Sequence, residues 1–206
     1  MSARVTVVDL GLGNLGSVVQ ALVRAGGDPR LSSDAGEIGR APRVVLPGVA
    51  AFGLGMERAG EIGLRAALDE IVRRRAPLLG VCLGMQILFE QGEEDGLQQG
   101  LGLLPGRVTR LPRGVQVPHI GWQRLKTTGS SPLLADDPSP WAYFANSYRC
   151  EAPLEITHAI ADHAGVQIAS VVGRGTVHGV QFHPEKSARD GERLLTRFLG
   201  LAEGSP

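Results

Sequence analysis

The sequence has 206 residues, of which 43% are hydrophobic, and its 21 basic and 21 acidic side chains give a formal net charge of zero. This length suits one well-packed domain and is short for two. The balanced charge does not favour a nucleic-acid partner, and no apolar run approaches the ~20 residues that a membrane span needs. The 29 glycines fit a globular α/β protein with many turns.

The beginning of the chain and its cysteines predict a cytoplasmic protein. Residues 1–9 lack the basic region, the apolar core and the cleavage site of a signal peptide. The two cysteines, Cys82 and Cys150, are too few for a disulfide framework. Both features favour a reducing compartment.

The first ninety residues are predicted to alternate strands and helices. Short apolar or β-branched runs predict strands at 5–9, 29–32, 43–46 and 78–81. Apolar residues on one helical face predict helices at 14–25 and 61–75. This alternation favours a parallel sheet with helices on both faces.

The second half has a different pattern. Residues 90–106 are polar and rich in glycine, which predicts a loop. Closely spaced strand-like segments follow at 115–120, 141–150, 154–161, 166–172 and 176–182, and residues 188–201 read as a closing helix. We expect one α/β domain with a mixed, mostly parallel central sheet flanked by helices, and a small antiparallel section.

A motif after the fourth predicted strand is typical of a nucleophile. The sequence GVCLG at 80–84 follows an apolar run and precedes an amphipathic segment, so it predicts a strand, a sharp turn and a helix. Hydrolases with a nucleophile elbow have this arrangement, with serine in place of Cys82. The strained turn leaves no room for side chains on its flanks, hence the glycines. We expect the amides at the helix start to favour the reactive thiolate.

A histidine and a carboxylate follow the last predicted strand. His183 and Glu185 lie two residues apart, and in an extended segment such residues project to the same side. Glu185 can then orient one imidazole nitrogen while the other faces a nucleophile, as in a triad. In a parallel sheet, Cys82 and His183 can lie at the carboxyl ends of neighbouring strands.

A third segment, LPGVAAFG at 46–53, offers backbone amides after a predicted strand. One of them, paired with the amide of Leu83, can form an oxyanion hole. This segment alone is not specific for any one chemistry.

Together these segments resemble the class I, or triad, glutamine amidotransferases. The motifs occur in the order and spacing of one branch, the glutaminase subunits of imidazole glycerol phosphate synthase from histidine biosynthesis: DLGLGNLGS at 9–17, LPGVAAFG at 46–53, GVCLGMQILF at 80–89, VPHIGW at 117–122, YFANSY at 143–148 and GVQFHPEKS at 179–187. The resemblance spans nearly the whole chain. It implies that residues 1–206 are one glutamine amidotransferase type-1 domain with a flavodoxin-like architecture.

The resemblance also implies a role for each matched residue. Cys82 is the expected nucleophile, His183 the general base and acid, and Glu185 its orienting partner. Glutamine is expected to bind Gln86, Glu94 and the backbone of Ser147 and Tyr148, with oxyanion amides from Val49 and Leu83. The expected partner is a (β/α)8 cyclase subunit in a heterodimer, and the residues expected to lie towards it are Asn14, His119 and Trp122. No cofactor and no metal are expected.

Three positions depart from the usual pattern of that branch. Leu10 stands where Tyr is usual, Ala50 where Gly is usual, and Asn146 where His is usual. Ala50 is expected to restrict the oxyanion loop. Asn146 weakens any side-chain role at its position but leaves a backbone role intact.

Two other functions remain open. Within the class, the chain can serve another synthase, such as one that forms anthranilate or pyridoxal phosphate. Outside it, GLGNLG at 11–16 matches G-x-G-x-x-G after a strand, with Asp34 near the end of a possible second strand, as in a dinucleotide-binding module. Such a fold needs a second nucleotide-binding half, for which 206 residues leave little room.

Overall fold

The computed structural model describes residues 2–13, 15–134 and 139–204, which build a large mixed sheet with helices on both faces and a smaller second sheet. Its strands are β1 (Ala3–Val8), β2 (Gly27–Ser32), β3 (Val44–Gly48), β4 (Leu78–Cys82), β5 (Phe89–Gly92), β6 (Gln98–Gln99), β7 (Leu104–Arg110), β8 (His119–Thr127), β9 (Trp141–Asn146), β10 (Tyr148–Glu151), β11 (Thr157–His163), β12 (Val166–Arg174) and β13 (Val177–Val180). The helices are α1 (Leu15–Arg24), α2 (Ala35–Arg40), α3 (Phe52–Glu61), α4 (Leu64–Arg73), α5 (Leu83–Ile87) and α6 (Ala188–Gly200), with 3₁₀ helices at Leu154–Ile156 and Pro184–Lys186. None of the described helices is long and apolar enough to cross a membrane.

The large sheet joins a parallel half to an antiparallel half. Its strand order is β2-β1-β3-β4-β13-β12-β11-β8-β9. In this spatial order, neighbouring strands pair in parallel from β2 through β1, β3 and β4 to β13. They pair antiparallel from β13 through β12, β11 and β8 to β9. The predicted mixed sheet is present, but the expectation that it is mostly parallel, with only a small antiparallel section, is wrong, because the antiparallel half is as large as the parallel one. Strand β13 is the junction between them.

Apolar side chains fill both faces of this sheet. Strands β3 and β4 are buried at every position, as expected of central parallel strands covered on two sides. One core contains the buried residues of α2 to α5, and the other contains those of α1 and α6. The carboxyl ends of the parallel strands therefore project from a rigid base.

Three predicted elements are divided differently in the structure. The predicted helix over 61–75 is wrong at its start, because Gly63 adopts a left-handed conformation with φ +65° and separates α3 from α4. The predicted strand over 141–150 breaks at Ser147, where the chain leaves β9 in the large sheet for β10 in the small one. The predicted loop over 90–106 contains most of β5, all of β6 and the start of β7.

Candidate active site

The turn at Cys82 is a strained elbow between β4 and α5. Cys82 has φ +54° and ψ −112°, a backbone conformation that residues other than glycine rarely adopt. A Cβ atom on Gly84 would lie 1.7 Å from the carbonyl oxygen of Leu46, and one on Gly80 would lie 2.7 Å from the carbonyl oxygen of Gly84. The predicted need for glycine on both flanks is confirmed.

The helix after the elbow is shorter than the sequence pattern indicates. Helix α5 has five residues, all of them buried, so the prediction of an amphipathic helix is wrong. Helix geometry leaves the amide of its first residue, Leu83, without a partner inside the helix. The sulfur of Cys82 can therefore interact with individual amide groups at this turn rather than with the dipole of a long helix.

His183 reaches Cys82 because their strands are neighbours. Val180 of β13 pairs with Val81 of β4, which confirms the predicted adjacency of the two strands. The chain then turns at His183 into the 3₁₀ helix Pro184–Lys186, and Nδ1 of His183 lies 2.8 Å from Oε1 of Glu185. The predicted contact is present, but the reason given for it was wrong, because a tight turn and not an extended segment brings the two side chains together.

Two neighbours control the charge of His183. Burial lowers the pKa of this imidazole, but its hydrogen bonds and charge interactions with Cys82 and Glu185 outweigh that effect and raise the pKa to about 10. The Glu185 side chain is itself buried, and its Oε2 has no hydrogen-bond partner among the described residues. The favoured resting state is thus an imidazolium held between the sulfur and a carboxylate.

A cavity of about 260 Å³ opens beside the sulfur of Cys82. Its walls come from the loop after β3, from α5, from the loop after β5 and from the crossing between the two sheets. The lining residues are Val49, Ala50, Cys82, Leu83, Gln86, Glu94, Ala145, Asn146, Ser147 and Tyr148. All six residues predicted to bind glutamine are among them.

Two polar side chains in this cavity have defined partners. Nε2 of Gln86 donates to the carbonyl oxygen of Tyr148 at 3.3 Å and to Oε1 of Gln181 at 3.1 Å. The amide of Phe52, the first residue of α3, donates to Oε2 of Glu94 at 2.7 Å. Glu94 therefore ties the cavity to the helix that follows the loop at 47–51.

Gln181 is a buried residue to which the sequence reasoning gave no role. Its side chain is fully buried between Cys82, Gln86 and Cys150. The available signal was a polar residue between the apolar Val180 and Phe182 in a strand-like run. That signal marks a buried amide but does not say what it contacts.

Comparisons with known proteins agree with this geometry. The family model described as "Glutamine amidotransferase class-I" matches residues 7–200. The chain belongs to the class-I glutamine amidotransferase family. The chain is 46% identical over 198 residues to "Imidazole glycerol phosphate synthase subunit HisH" of Symbiobacterium thermophilum, covering 95% of this chain and 93% of that protein. It is 43% identical over 201 residues to the protein of the same name in Bacillus thuringiensis, covering 97% and 95%.

Solved structures share the fold of this amidotransferase. A structure titled "Structure of PurLQS from Thermotoga maritima" matches with a TM-score of 0.76 at 19% identity, over 97% of this chain and 99% of that one. A structure titled "Crystal structure of glutamine amidotransferase" matches with a TM-score of 0.74 at 22% identity, over 96% and 99%. The predicted α/β architecture of a class I amidotransferase is confirmed.

The residues predicted to face a partner differ in exposure. Asn14 lies outside the described residues. His119 is buried, with its ring stacked 4.7 Å from that of Phe144 and 4.1 Å from that of His163. Trp122 is 48% exposed, and Trp141 close by is 46% exposed. The side chain of Trp122 is therefore accessible to a partner, whereas that of His119 packs against other rings inside the protein.

The three departures from the usual pattern are accommodated in this amidotransferase. Leu10 is buried in the apolar core, and Ala50 lines the cavity. Asn146 is buried and its Nδ2 donates to the carbonyl oxygen of Tyr148 at 3.0 Å, while its Oδ1 has no hydrogen-bond partner in the described part of the chain. Asn146 thus braces the backbone that lines the cavity.

The dinucleotide alternative finds no support in the structure. Asp34 caps α2, because its side chain accepts a hydrogen bond from the amide of Glu37 at 2.7 Å. A Cβ on Gly13 would lie 2.3 Å from Cγ2 of Val49, so this glycine allows the loop at 47–51 to pack closely. Both features serve the fold of the amidotransferase.

Proposed function

We propose that this chain is the glutaminase subunit of an imidazole glycerol phosphate synthase. It hydrolyses glutamine to glutamate and ammonia and delivers the ammonia to a (β/α)8 cyclase subunit, which forms imidazole glycerol phosphate and an aminoimidazole carboxamide ribotide (AICAR). The observation that carries the proposal is the contact of His183 with both Cys82 and Glu185 beside a cavity of about 260 Å³. The names of relatives at 43–46% identity supply the identity of the synthase.

The first half of the reaction forms a thioester. The Cys82 thiolate attacks the side-chain amide carbon of glutamine, and the amides of Leu83 and Val49 stabilise the resulting oxyanion. The His183 imidazolium gives its proton to the amide nitrogen, the carbon–nitrogen bond breaks, and ammonia leaves. Cys82 is now a glutamyl thioester and His183 is neutral.

The second half of the reaction depends on the loss of the negative charge of Cys82 in the first half. The negative charge of Cys82 is one cause of the raised pKa of His183, and the thioester no longer carries it. Burial continues to lower this pKa, so His183 becomes a base. It accepts a proton from water, the hydroxide attacks the thioester carbon, and the carbon–sulfur bond breaks. Glutamate leaves, and the thiolate–imidazolium pair is restored.

The cavity supplies groups that suit the α-amino and α-carboxylate ends of glutamine. Glu94 lines the cavity and attracts the positive α-ammonium group. Both hydrogens of the Gln86 amide are engaged, by the Tyr148 carbonyl and by Gln181, so its own carbonyl oxygen is left to accept from the substrate. The backbone of Ser147 and Tyr148 lines the same cavity and is proposed to hold the carboxylate.

The partner is proposed from the chemistry of ammonia. Free ammonia is protonated in water near neutral pH and then is no nucleophile, so direct transfer to the cyclase preserves its reactivity. Trp122 is the exposed residue through which we expect the cyclase to dock. Both cysteines are free, which suits the cytoplasm as the working compartment.

A glutaminase subunit of a different synthase is the second candidate. The triad and the cavity serve any amidotransferase of this class, so they do not separate the two. The shared name of the relatives favours imidazole glycerol phosphate synthase. Binding to a cyclase rather than to an anthranilate-forming subunit decides between them.

The test combines Cys82→Ala with a cyclase subunit from the same cell. We expect the wild-type pair to make product from glutamine, and the Cys82→Ala pair to make it only from added ammonium salt. The variant should bind the cyclase as tightly as the wild type does. Glutamine hydrolysis that survives in Cys82→Ala would refute the proposed nucleophile, and a chain that does not bind the cyclase would refute the proposed synthase.

A further inference from the structure

A buried amide lies against the sulfur of Cys82. Nε2 of Gln181 is 4.0 Å from Sγ of Cys82, and its Oε1 is 3.1 Å from Nε2 of Gln86 and 4.0 Å from Sγ of Cys150. Gln181 has no exposed surface, and its backbone amide is bonded to the carbonyl oxygen of Ser170. One side chain therefore joins the nucleophile, a cavity-lining amide and the second cysteine.

The orientation of this amide is fixed by a chain of donors and acceptors. The backbone carbonyl of Tyr148 can only accept, so the group of Gln86 that faces it is the NH₂. The same NH₂ faces Gln181, which must therefore present its carbonyl oxygen there. The NH₂ of Gln181 is left to point at the sulfur of Cys82.

Cys150 supports the same orientation. Burial and the nearby Cys82 raise the pKa of the Cys150 thiol well above its ordinary value, so it keeps its proton. A neutral thiol is a weak donor, and Oε1 of Gln181 is the acceptor in front of it. Two donors thus hold the carbonyl end of Gln181, and a reversed amide would face both of them with its own hydrogens.

We propose that Gln181 is a positioning residue that donates a hydrogen bond to the Cys82 thiolate and sets the orientation of the Gln86 amide. The inference rests on the proposed role of Cys82 as nucleophile. Gln181 is uncharged, so it stabilises the thiolate without competing with His183 for a proton. Through Gln86 it also places an acceptor in the substrate cavity, so one buried side chain aligns the nucleophile with the substrate.

Two substitutions separate the parts of this role. Gln181→Met has a similar volume and loses both the donor and the acceptor. Gln181→Glu keeps an acceptor for Gln86 and Cys150, and in its ionised form it loses the donor and places a negative charge beside the sulfur. The first removes the alignment of Gln86 and the second preserves it.

The measurement is the pH dependence of Cys82 alkylation by iodoacetamide in the full chain, with the modified cysteine identified by mass spectrometry. We expect the midpoint to rise by about one pH unit in Gln181→Met, because a hydrogen bond to a charged group is lost. It should rise further in Gln181→Glu. With the cyclase present, the KM for glutamine should rise several-fold more in Gln181→Met than in Gln181→Glu.

Ser170→Ala is the matched control. Ser170 is fully buried and adjoins Gln181 through its backbone, but its hydroxyl donates to the carbonyl oxygen of Ile168 and not to the sulfur. Its alkylation midpoint should equal that of the wild type. If Gln181→Met does not fold by circular dichroism, Gln181→Glu provides the same midpoint test.

The outcomes for Gln181 and for Cys82 are distinguishable. A folded Gln181 variant with the wild-type midpoint would overturn the role of Gln181 and leave the nucleophile in place. A wild-type Cys82 that alkylates no faster than an ordinary thiol near neutral pH would instead refute the nucleophile itself.

Discussion

At the scale of single residues, the proposed mechanism requires the charge of His183 to change during the reaction. In the resting site Cys82 and Glu185 raise its pKa to about 10 against the effect of burial. This lets it begin as the acid that releases ammonia. Glu185 stays in contact when the sulfur becomes a thioester, so it continues to hold the imidazole in the position from which it takes a proton from water.

The first prediction compares the three members of the proposed triad. His183→Ala should lower kcat by about as much as Cys82→Ala, because members of a triad act as a unit. Glu185→Gln should cost roughly tenfold to a hundredfold less, because it removes the charge and keeps the ring in place. The measurement is glutamine-dependent turnover with the cyclase.

The control for this prediction is ammonium-dependent turnover, which all three variants should retain. A Glu185→Ala variant as active as the wild type would contradict the orienting role. Another carboxylate would then have to hold the imidazole.

The sequence indicated the proposed triad but not the contacts of Gln181. Cys82, His183 and Glu185 sit in short motifs whose spacing indicates their chemistry. The role of Gln181 depends on Gln86, which is remote in sequence and is itself oriented by the carbonyl oxygen of Tyr148. No spacing rule connects such residues.

At the scale of elements, the elbow holds Cys82, the proposed nucleophile, by close packing. The second prediction is that Gly84→Ala destabilises the chain by about 3 kcal/mol or more, because the new methyl would overlap the Leu46 carbonyl. Urea unfolding measures this. Gly60→Ala is the control. Apart from the chain neighbours of Gly60 and the nearby backbone of α3, no heavy atom of the described residues lies within 4 Å of a Cβ at this position. It should stabilise α3 by about 0.5–1 kcal/mol.

The third prediction concerns the start of α6. Ala188 has φ +47°, a left-handed conformation that costs an L-residue with a Cβ about 1–2 kcal/mol. Ala188→Gly should therefore raise the free energy of unfolding by about 1 kcal/mol. Ala66→Gly, at an exposed position inside α4, should lower it by about as much, because there alanine is favoured. If the two substitutions changed the free energy of unfolding in the same direction, the strain at Ala188 would be contradicted.

Element boundaries were predicted best for the central parallel strands, where a run of apolar residues marks the element. The parallel strands β3 and β4 are short apolar runs, and such runs are readable because both faces are buried. The break at Ser147 was missed because the residues on either side of it are strand-like and differ only in which sheet they join. Sheet membership is a tertiary property, so local pattern does not reveal it.

At the scale of the whole molecule, two buried histidines make stability depend on pH. Burial, with a smaller effect of a neighbouring histidine, lowers the pKa of both His119 and His178 to about 4. The unfolded chain takes up their protons near pH 6.5, and the folded chain does so only near pH 4. Stability is therefore lost as the pH falls from 6.5 towards 4.

The fourth prediction is that the free energy of unfolding falls by up to about 4 kcal/mol between pH 7 and pH 5. His183 opposes this slope weakly and only above about pH 6.5, where the unfolded chain loses its proton and the folded chain, with the raised pKa, keeps it. Its own stabilising contribution is fully present below pH 6.5 and is lost as the pH rises from there to about 10. Urea unfolding at pH 7, 6 and 5 measures the slope, and His178→Gln should remove about half of it. An unchanged slope in that variant would contradict the assignment.

The fifth prediction concerns control by the partner. Val49, which is proposed to supply an oxyanion amide, lies on the loop at 47–51 and is 52% exposed, so a partner can contact the residue directly. We expect the isolated chain to hydrolyse glutamine about 10²–10³ times more slowly than the complex does with its second substrate bound. Equal turnover of the chain alone, with cyclase, and with cyclase plus a substrate analogue would contradict this.

The position of β13 in the sheet has a consequence during synthesis on the ribosome. Among the described strands β13 is the last to be made, yet it lies in the interior, between β4 and β12. Until it arrives, β4 has a free edge on that side, and the cysteine at its end has no histidine beside it. On the proposed mechanism, a nascent chain that has not yet inserted β13 holds the thiol without the rest of the triad, and we expect it to consume no glutamine before the sheet is complete.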